Sequence, residues 1–258
     1  MLLENKVAVI TGIGPGLGRE LALQFAREGA AVVIGARTES YLEDVRKEVD
    51  ADGGRVVAVR TDIADREQCE RIVAAAVDAF GGVDCVVQNG FYSPPFDLFE
   101  NADLASWKRA MDVNLFGSLS VAQAAIPSLK ERGGGSIVFV NSMTMRKVLP
   151  YQGGYATSKG ALATAAQVLA RELGQYRIRV NSIVPGWMMG PSVEGYFDYM
   201  ESQGKPKDEL YAEIASNIAL GVIPTDEECA GAAIFLASDL ASMITGQLVD
   251  VNGGEVFF

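Results

Sequence analysis

A chain of 258 residues, 49% of them apolar, with no histidine and a formal net charge of −11, is long enough to bury one large α/β core. The missing imidazole excludes Ser-His-Asp and Cys-His nucleophilic sites and His-based zinc sites, so acid–base chemistry falls to Tyr, Lys, Asp or Glu. An acidic balance without a basic tract disfavours nucleic acid and anionic membranes, and with no long apolar run and no secretory leader the expectation is a cytoplasmic protein without a metal site.

Short apolar, β-branched runs alternate with amphipathic stretches along the chain, which predicts a parallel sheet covered by helices. Strands are expected at 7–10, 31–34, 56–60, 83–87, 136–141, 179–183 and 247–251, and helices at 17–28, 40–50, 66–80, 104–130, 154–173 and 226–237. The strands are nearly continuously apolar, as strands covered on both faces are. Seven of them make a three-layer, doubly wound sheet, and with neither linker nor repeat the whole of 1–258 reads as one domain. The stretch 186–221 breaks this rhythm: Pro191, Pro206 and several glycines stand among Trp187, Met188, Met189, Tyr196, Phe197, Tyr199 and Met200. It reads equally as a lid over an oily substrate or as a small satellite core. Cys69, Cys85 and Cys229 are expected to be buried, reduced thiols.

Directly after the first strand comes Thr11-Gly12-Ile13-Gly14-Pro15-Gly16-Leu17-Gly18, and then a helix. Glycines there let the backbone turn tightly and approach a diphosphate, whose charge sits at the helix N-terminus, so a Rossmann-type dinucleotide site is expected. The second strand ends at Gly35-Ala36-Arg37-Thr38, where an Asp or Glu would take the ribose hydroxyls of NAD and an Arg accommodates a 2′-phosphate. Arg37 and Thr38 favour NADP(H), with NAD(H) as the other choice. Further on, Tyr155 and Lys159 are four residues apart in a predicted helix, which puts phenol and ammonium on one face. A neighbouring ammonium favours the phenolate and would lower the phenol pKa towards neutrality, and Ser142 upstream can polarise a substrate oxygen.

Together these residues resemble the short-chain dehydrogenase/reductase family over essentially the whole chain, most nearly the members similar to 3-oxoacyl carrier-protein reductases. The resemblance rests on the glycine loop, Asp62-Ile63, Asn114 in Val-Asn-Leu-Phe-Gly, Ser142, Tyr155-x-x-x-Lys159 and Pro185-Gly186. It implies that Tyr155 is the acid–base residue, that Lys159 binds the nicotinamide ribose, that Ser142 holds the substrate oxygen and that Asn114 completes a proton relay through water. It further implies that Asp62 meets the adenine and that Pro185 and Gly186 lie near the nicotinamide. Gly12, Gly16, Leu17, Gly18, Ile63, Asn89, Gly90 and Met188 complete the expected cofactor site. A homo-oligomer is expected, a tetramer before a dimer.

The chain departs from the family's pattern at three places. Gln88-Asn89-Gly90-Phe91 stands for the family's Asn-Asn-Ala-Gly, Pro15 for a basic residue of some NADP-using relatives, and Trp187-Met188-Met189-Gly190 holds no equivalent of the usual threonine. Thr144, Val148, Tyr151, Trp187 and Tyr196 flank the expected substrate position and suggest an apolar ligand such as an acyl, terpenoid or steroid-like ketone. The reading is an oxidoreductase that moves a hydride between NADP(H) and a secondary alcohol or ketone. A non-catalytic cofactor-binding regulator and a lyase or epimerase on the same fold remain as alternatives.

Overall fold

The computed structural model describes residues 1–257, and its seven strands run parallel in the order β3-β2-β1-β4-β5-β6-β7. They are β1 (Val7–Thr11), β2 (Ala31–Ala36), β3 (Arg55–Arg60), β4 (Cys85–Gln88), β5 (Gly135–Val140), β6 (Ile178–Pro185) and β7 (Leu248–Val251). Each agrees with the expected run to within two residues, because the same apolar continuity that marks them in sequence is buried from both sides. Along β1, Ala8 and Ile10 face one helical layer while Val7 and Val9 face the other. The first layer holds α1 (Leu17–Arg27), α2 (Glu39–Ala51) and α9 (Asp226–Ala237). The second holds α3 (Arg66–Phe80), α5 (Ser118–Glu131) and α6 (Gly153–Leu173). All three cysteines are buried free thiols, as expected.

The expected single helix over 104–130 is instead α4 (Leu104–Ala110), a π-helical segment (Met111–Gly117) and α5. The wider π turn carries Asn114 inward, fully buried, and π turns of this kind recur at functional positions. The stretch 186–221 contributes two helices, α7 (Pro191–Ser202) and α8 (Lys207–Ala215), and builds its own small core from Phe197, Leu210, Ile214, Ile218 and Ile223. Among the described residues no helix is long and apolar enough to cross a membrane.

Helix α9 opens on a capping box: the Thr225 hydroxyl accepts from the Glu228 amide, and the Glu228 carboxylate accepts from the Thr225 amide. Removing such a cap costs about 1 kcal/mol. Thr225→Ala is expected to lower the thermal midpoint by roughly 2–4 °C, measured by circular dichroism.

Candidate active site

Parallel α/β sheets bind ligands where the strand order reverses, beyond the carboxyl ends of the strands. Here the reversal lies between β1 and β4, and the two loops that leave them touch main chain to main chain. Gly12 has φ +76°, and a Cβ on it would stand 2.2 Å from the amide nitrogen of Gly90. The Asn89 side chain closes the contact by donating to the Gly12 carbonyl at 2.8 Å. A Cβ on Gly18 would stand 2.3 Å from the same carbonyl, so only glycine lets α1 start so close to the turn. Its N-cap, Gly16, has no side chain with which to satisfy the first amides of the helix.

Two clefts flank the Gly12–Gly90 contact. The larger, about 390 Å³, joins Gly12, Gly16, Leu17, Gly18 and Asn89 to Ser142, Tyr155, Lys159, Pro185, Gly186 and Met188. The smaller, about 230 Å³, is lined by Arg37, Thr38, Asp62, Ile63 and Gly90 as well as by Gly12 and Asn89. Every residue expected at the cofactor is therefore gathered into one of two adjoining spaces. Thr38 is the N-cap of α2 yet makes no side-chain cap bond, which leaves the helix's first amides open beside Arg37. Close-packed glycines, helix starts whose own N-cap residues make no side-chain cap bond, and a paired cleft fit a dinucleotide.

The side chains expected to be catalytic come from α6 and from the end of β5. Helix α6 begins on Gly153 and Gly154, where a Cβ would stand 2.4 Å and 2.8 Å from the Trp107 ring, so the glycine pair seats α4 against α6. Two turns on, Lys159 is 2% exposed and donates to the Val140 carbonyl at 2.7 Å. Its ammonium stands 5.6 Å from the centre of the Tyr155 ring. Burial pushes Lys159 down to about 7. Burial also pushes Tyr155 up to about 12, against the opposing pull of its hydrogen bond with Ser142. The expected lowering of the phenol towards neutrality is thus absent in the chain by itself. Desolvation outweighs the bond with Ser142, and the Lys159 ammonium spends its own bond on the main chain.

Ser142 follows β5 directly. Besides meeting Tyr155, its hydroxyl accepts from the Thr144 amide at 3.3 Å and lies 3.1 Å from the Thr144 hydroxyl. The Asn114 side chain bonds to two neighbouring segments. Its carbonyl accepts from the Tyr92 amide at 2.7 Å, and its NH2 donates to the Tyr92 carbonyl and to Ser158 at 2.9 Å and 2.8 Å. The side-chain amide therefore clasps the loop after β4 to α6 next to Lys159.

A third cleft of about 260 Å³ opens on the far side of Tyr155, between Phe91, Pro94, Pro95, Phe96, Thr144, Tyr151 and Val193. Thr144 and Tyr151 are where a substrate was expected, and Tyr151 is held at φ +70°, a costly conformation for a bulky residue. Val148 is instead 71% exposed, and Trp187 stacks on Tyr196 at 5.8 Å beside the satellite core. Phe91 was missed as a site residue. Its ring meets Tyr155 edge-on at 6.1 Å and lines all three clefts. Phe91 lies outside the positive-φ region, so the phenyl group replaces the family's glycine without backbone strain. The available signal was Phe91 itself with Ser93-Pro94-Pro95-Phe96 just after the fourth strand.

Residues 12–255 match the family model described as enoyl-(acyl carrier protein) reductase. The chain is 36% identical over 254 residues to an uncharacterized oxidoreductase of Methylorubrum extorquens, covering 98% of each. It is 33% identical to the 3-oxoacyl-[acyl-carrier-protein] reductase of Thermotoga maritima, covering 99% of this chain and 100% of that one. The solved structure of a short-chain type dehydrogenase/reductase from Mycobacterium ulcerans superposes with a TM-score of 0.91 at 29% identity, over 99% of this chain and 91% of the other. The chain belongs to the short-chain dehydrogenase/reductase family. As a member of that family it is an NAD(P)-dependent oxidoreductase. The Rossmann-type architecture of the short-chain dehydrogenases accounts for the whole sheet.

The buried lysine links stability to pH. Native Lys159 loses its proton near 7 while the unfolded chain keeps it to the ordinary value of 10.5. Stability from this group is complete above the unfolded value and is lost as pH falls towards 7, with a slope of at most about 1.4 kcal/mol per pH unit. Urea unfolding of wild type and Lys159→Met between pH 7 and 9 is expected to show the variant more stable at pH 7, with the gap closing as pH rises.

Proposed function

We propose that the chain interconverts a ketone and a secondary alcohol, with Tyr155 as the acid–base residue and NADP(H) favoured over NAD(H). The observation that carries this reading is the half-buried Tyr155, its hydroxyl meeting Ser142, at the junction between the glycine-loop cleft and the apolar cleft. A bound nicotinamide dinucleotide would supply or accept the hydride. A phenol held near 12 stays protonated at neutral pH, so in the reductive direction Tyr155 has a proton to give to the carbonyl oxygen. Ser142 donates a hydrogen bond to that oxygen and fixes it beside the phenol. The Lys159 ammonium favours the phenolate left behind, and negative phosphates in the cleft would raise its depressed pKa.

Arg37, beside the uncapped start of α2, supports recognition of a 2′-phosphate. Asn114 acts as a positioning residue through Tyr92 and Ser158, and a relay through water would have to use its main-chain carbonyl, which also accepts from the Ser118 hydroxyl at 2.7 Å. Pro94, Pro95, Phe96 and Val193 favour a neutral, apolar substrate, with α7 and α8 of 186–221 as its lid. A homotetramer in the cytoplasm completes the reading, and light scattering after size exclusion tests the assembly.

Tyr155→Phe is expected to lower turnover by about 10²–10⁴-fold while dinucleotide affinity stays within a few-fold. Fluorescence titration with NADPH and NADH, followed by a panel of apolar ketones and alcohols, measures both. Cofactor binding by a folded wild type with no hydride transfer to any member of the panel would overturn the assignment.

A further inference from the structure

Among the described residues, one acidic side chain stands inside the glycine-loop cleft. Asp226 is the first residue of α9, and its carboxylate oxygens stand 3.2 Å and 3.7 Å from the position a Gly16 Cβ would take. It meets the Leu17 amide, so it sits over the N-terminus of α1, where the helix's own N-cap is a bare glycine. The other wall of its niche is Gly190, where a Cβ would stand 2.3 Å from the carboxylate. This packing is built into the fold: Met189 bonds the Pro224 carbonyl at 2.7 Å and bridges to Thr225, which ties the entry to α7 to the first turn of α9.

The position is the one at which a helix N-terminus holds an anion. A carboxylate and a diphosphate oxygen compete for the same amides, and both ionised they repel. From these contacts we propose that Asp226 is a proton-linked gate for the dinucleotide: its carboxylate takes the diphosphate's place on α1 in the free chain, and cofactor binding requires that it be protonated or turned away. The gate rests on the dinucleotide reading of the glycine loop.

The surrounding charges suit this role. The groups acting on Asp226 from α1 and α7 are Glu20 and Glu194, both acidic, and Arg19 on α1 is engaged with Glu20 and Glu48. On α9 itself Glu227 and Glu228 are acidic too, and Glu228 is held in the capping box. Burial, then Glu20 and Glu194, raise the Asp226 carboxyl to about 6, against the opposing pull of the Leu17 amide. Near neutrality a modest further rise, of the kind a neighbouring diphosphate imposes, is enough to protonate it. Binding then takes up a proton and weakens as pH rises above 6, by up to tenfold per unit until the carboxyl's pKa in the complex is reached.

The test is calorimetric titration of the full chain with whichever of NAD+ or NADP+ binds more tightly, from pH 5 to 8, in buffers of different ionisation enthalpy. Wild type is compared with Asp226→Asn, so that titration of the cofactor's own phosphate cancels in the difference. The expected result is net proton uptake by wild type that the variant lacks, with the variant binding about tenfold or more tightly at pH 8 and equally at pH 5. Glu194→Gln is expected to move the wild-type midpoint to lower pH, and thermal melts verify that each variant is folded. Equal affinities and equal proton uptake in wild type and Asp226→Asn would overturn the gate and leave the cofactor reading intact. Failure of both proteins to bind either dinucleotide at any pH in the range would overturn both.

Discussion

The main-chain contact between Gly12 and Gly90 is the constraint on which the site depends. Two parallel strands leave the sheet side by side, and their loops meet where a single Cβ would collide with a backbone amide. That contact divides the crevice into two clefts, one beside Arg37 and Thr38 and one beside Tyr155 and Lys159, and it fixes where Asn89 and Phe91 emerge. The neighbouring turn is equally tight, since Gly18 brings α1 against the Gly12 carbonyl. Three backbone segments therefore share one small volume, and the freedom lost there leaves the helix amides pre-aimed.

Electrostatics on the far side of that contact run by burial rather than by pairing. Lys159 has one strong bond, to the Val140 carbonyl, and lies in a pocket from which water is almost excluded. Such a site destabilises an ammonium and a phenolate alike, so Tyr155 keeps its proton at neutral pH and Lys159 gives its proton up near 7. In the proposed reaction, proton transfer would then wait on charge brought in from outside. The acidic balance of the chain points the same way, because an anionic ligand would have to lean on amides and helix ends.

Much of this was legible in the sequence, for physical reasons that differ by element. The strands were legible because burial on both faces demands continuous apolar runs, and the glycine loop because tight turns and close approach admit no other residue. The helix 104–130 was read as uniform because a π turn leaves no mark in composition, although it is what turns Asn114 inward. Trp187 and Tyr196, expected as substrate contacts, pack against one another beside a satellite core, a placement that their letters alone do not reveal. The Tyr155–Lys159 spacing showed proximity but not depth, and depth set the direction of the phenol's shift. Phe91 stood in plain view as a departure from the family's glycine, yet its role became visible only once its ring lay against Tyr155.

The three buried thiols mark the layers of the molecule. Cys69 is on α3 in one helical layer, Cys229 on α9 in the other, and Cys85 on β4 in the sheet between them. Desolvation raises them all, to about 11 for Cys69 and about 12 for the other two, so none presents a reactive thiolate while the layers are closed. A thiol reagent added to the native protein consequently acts as a clock for opening. The order in which the three are labelled reads out which layer separates first, with no probe introduced and no residue changed.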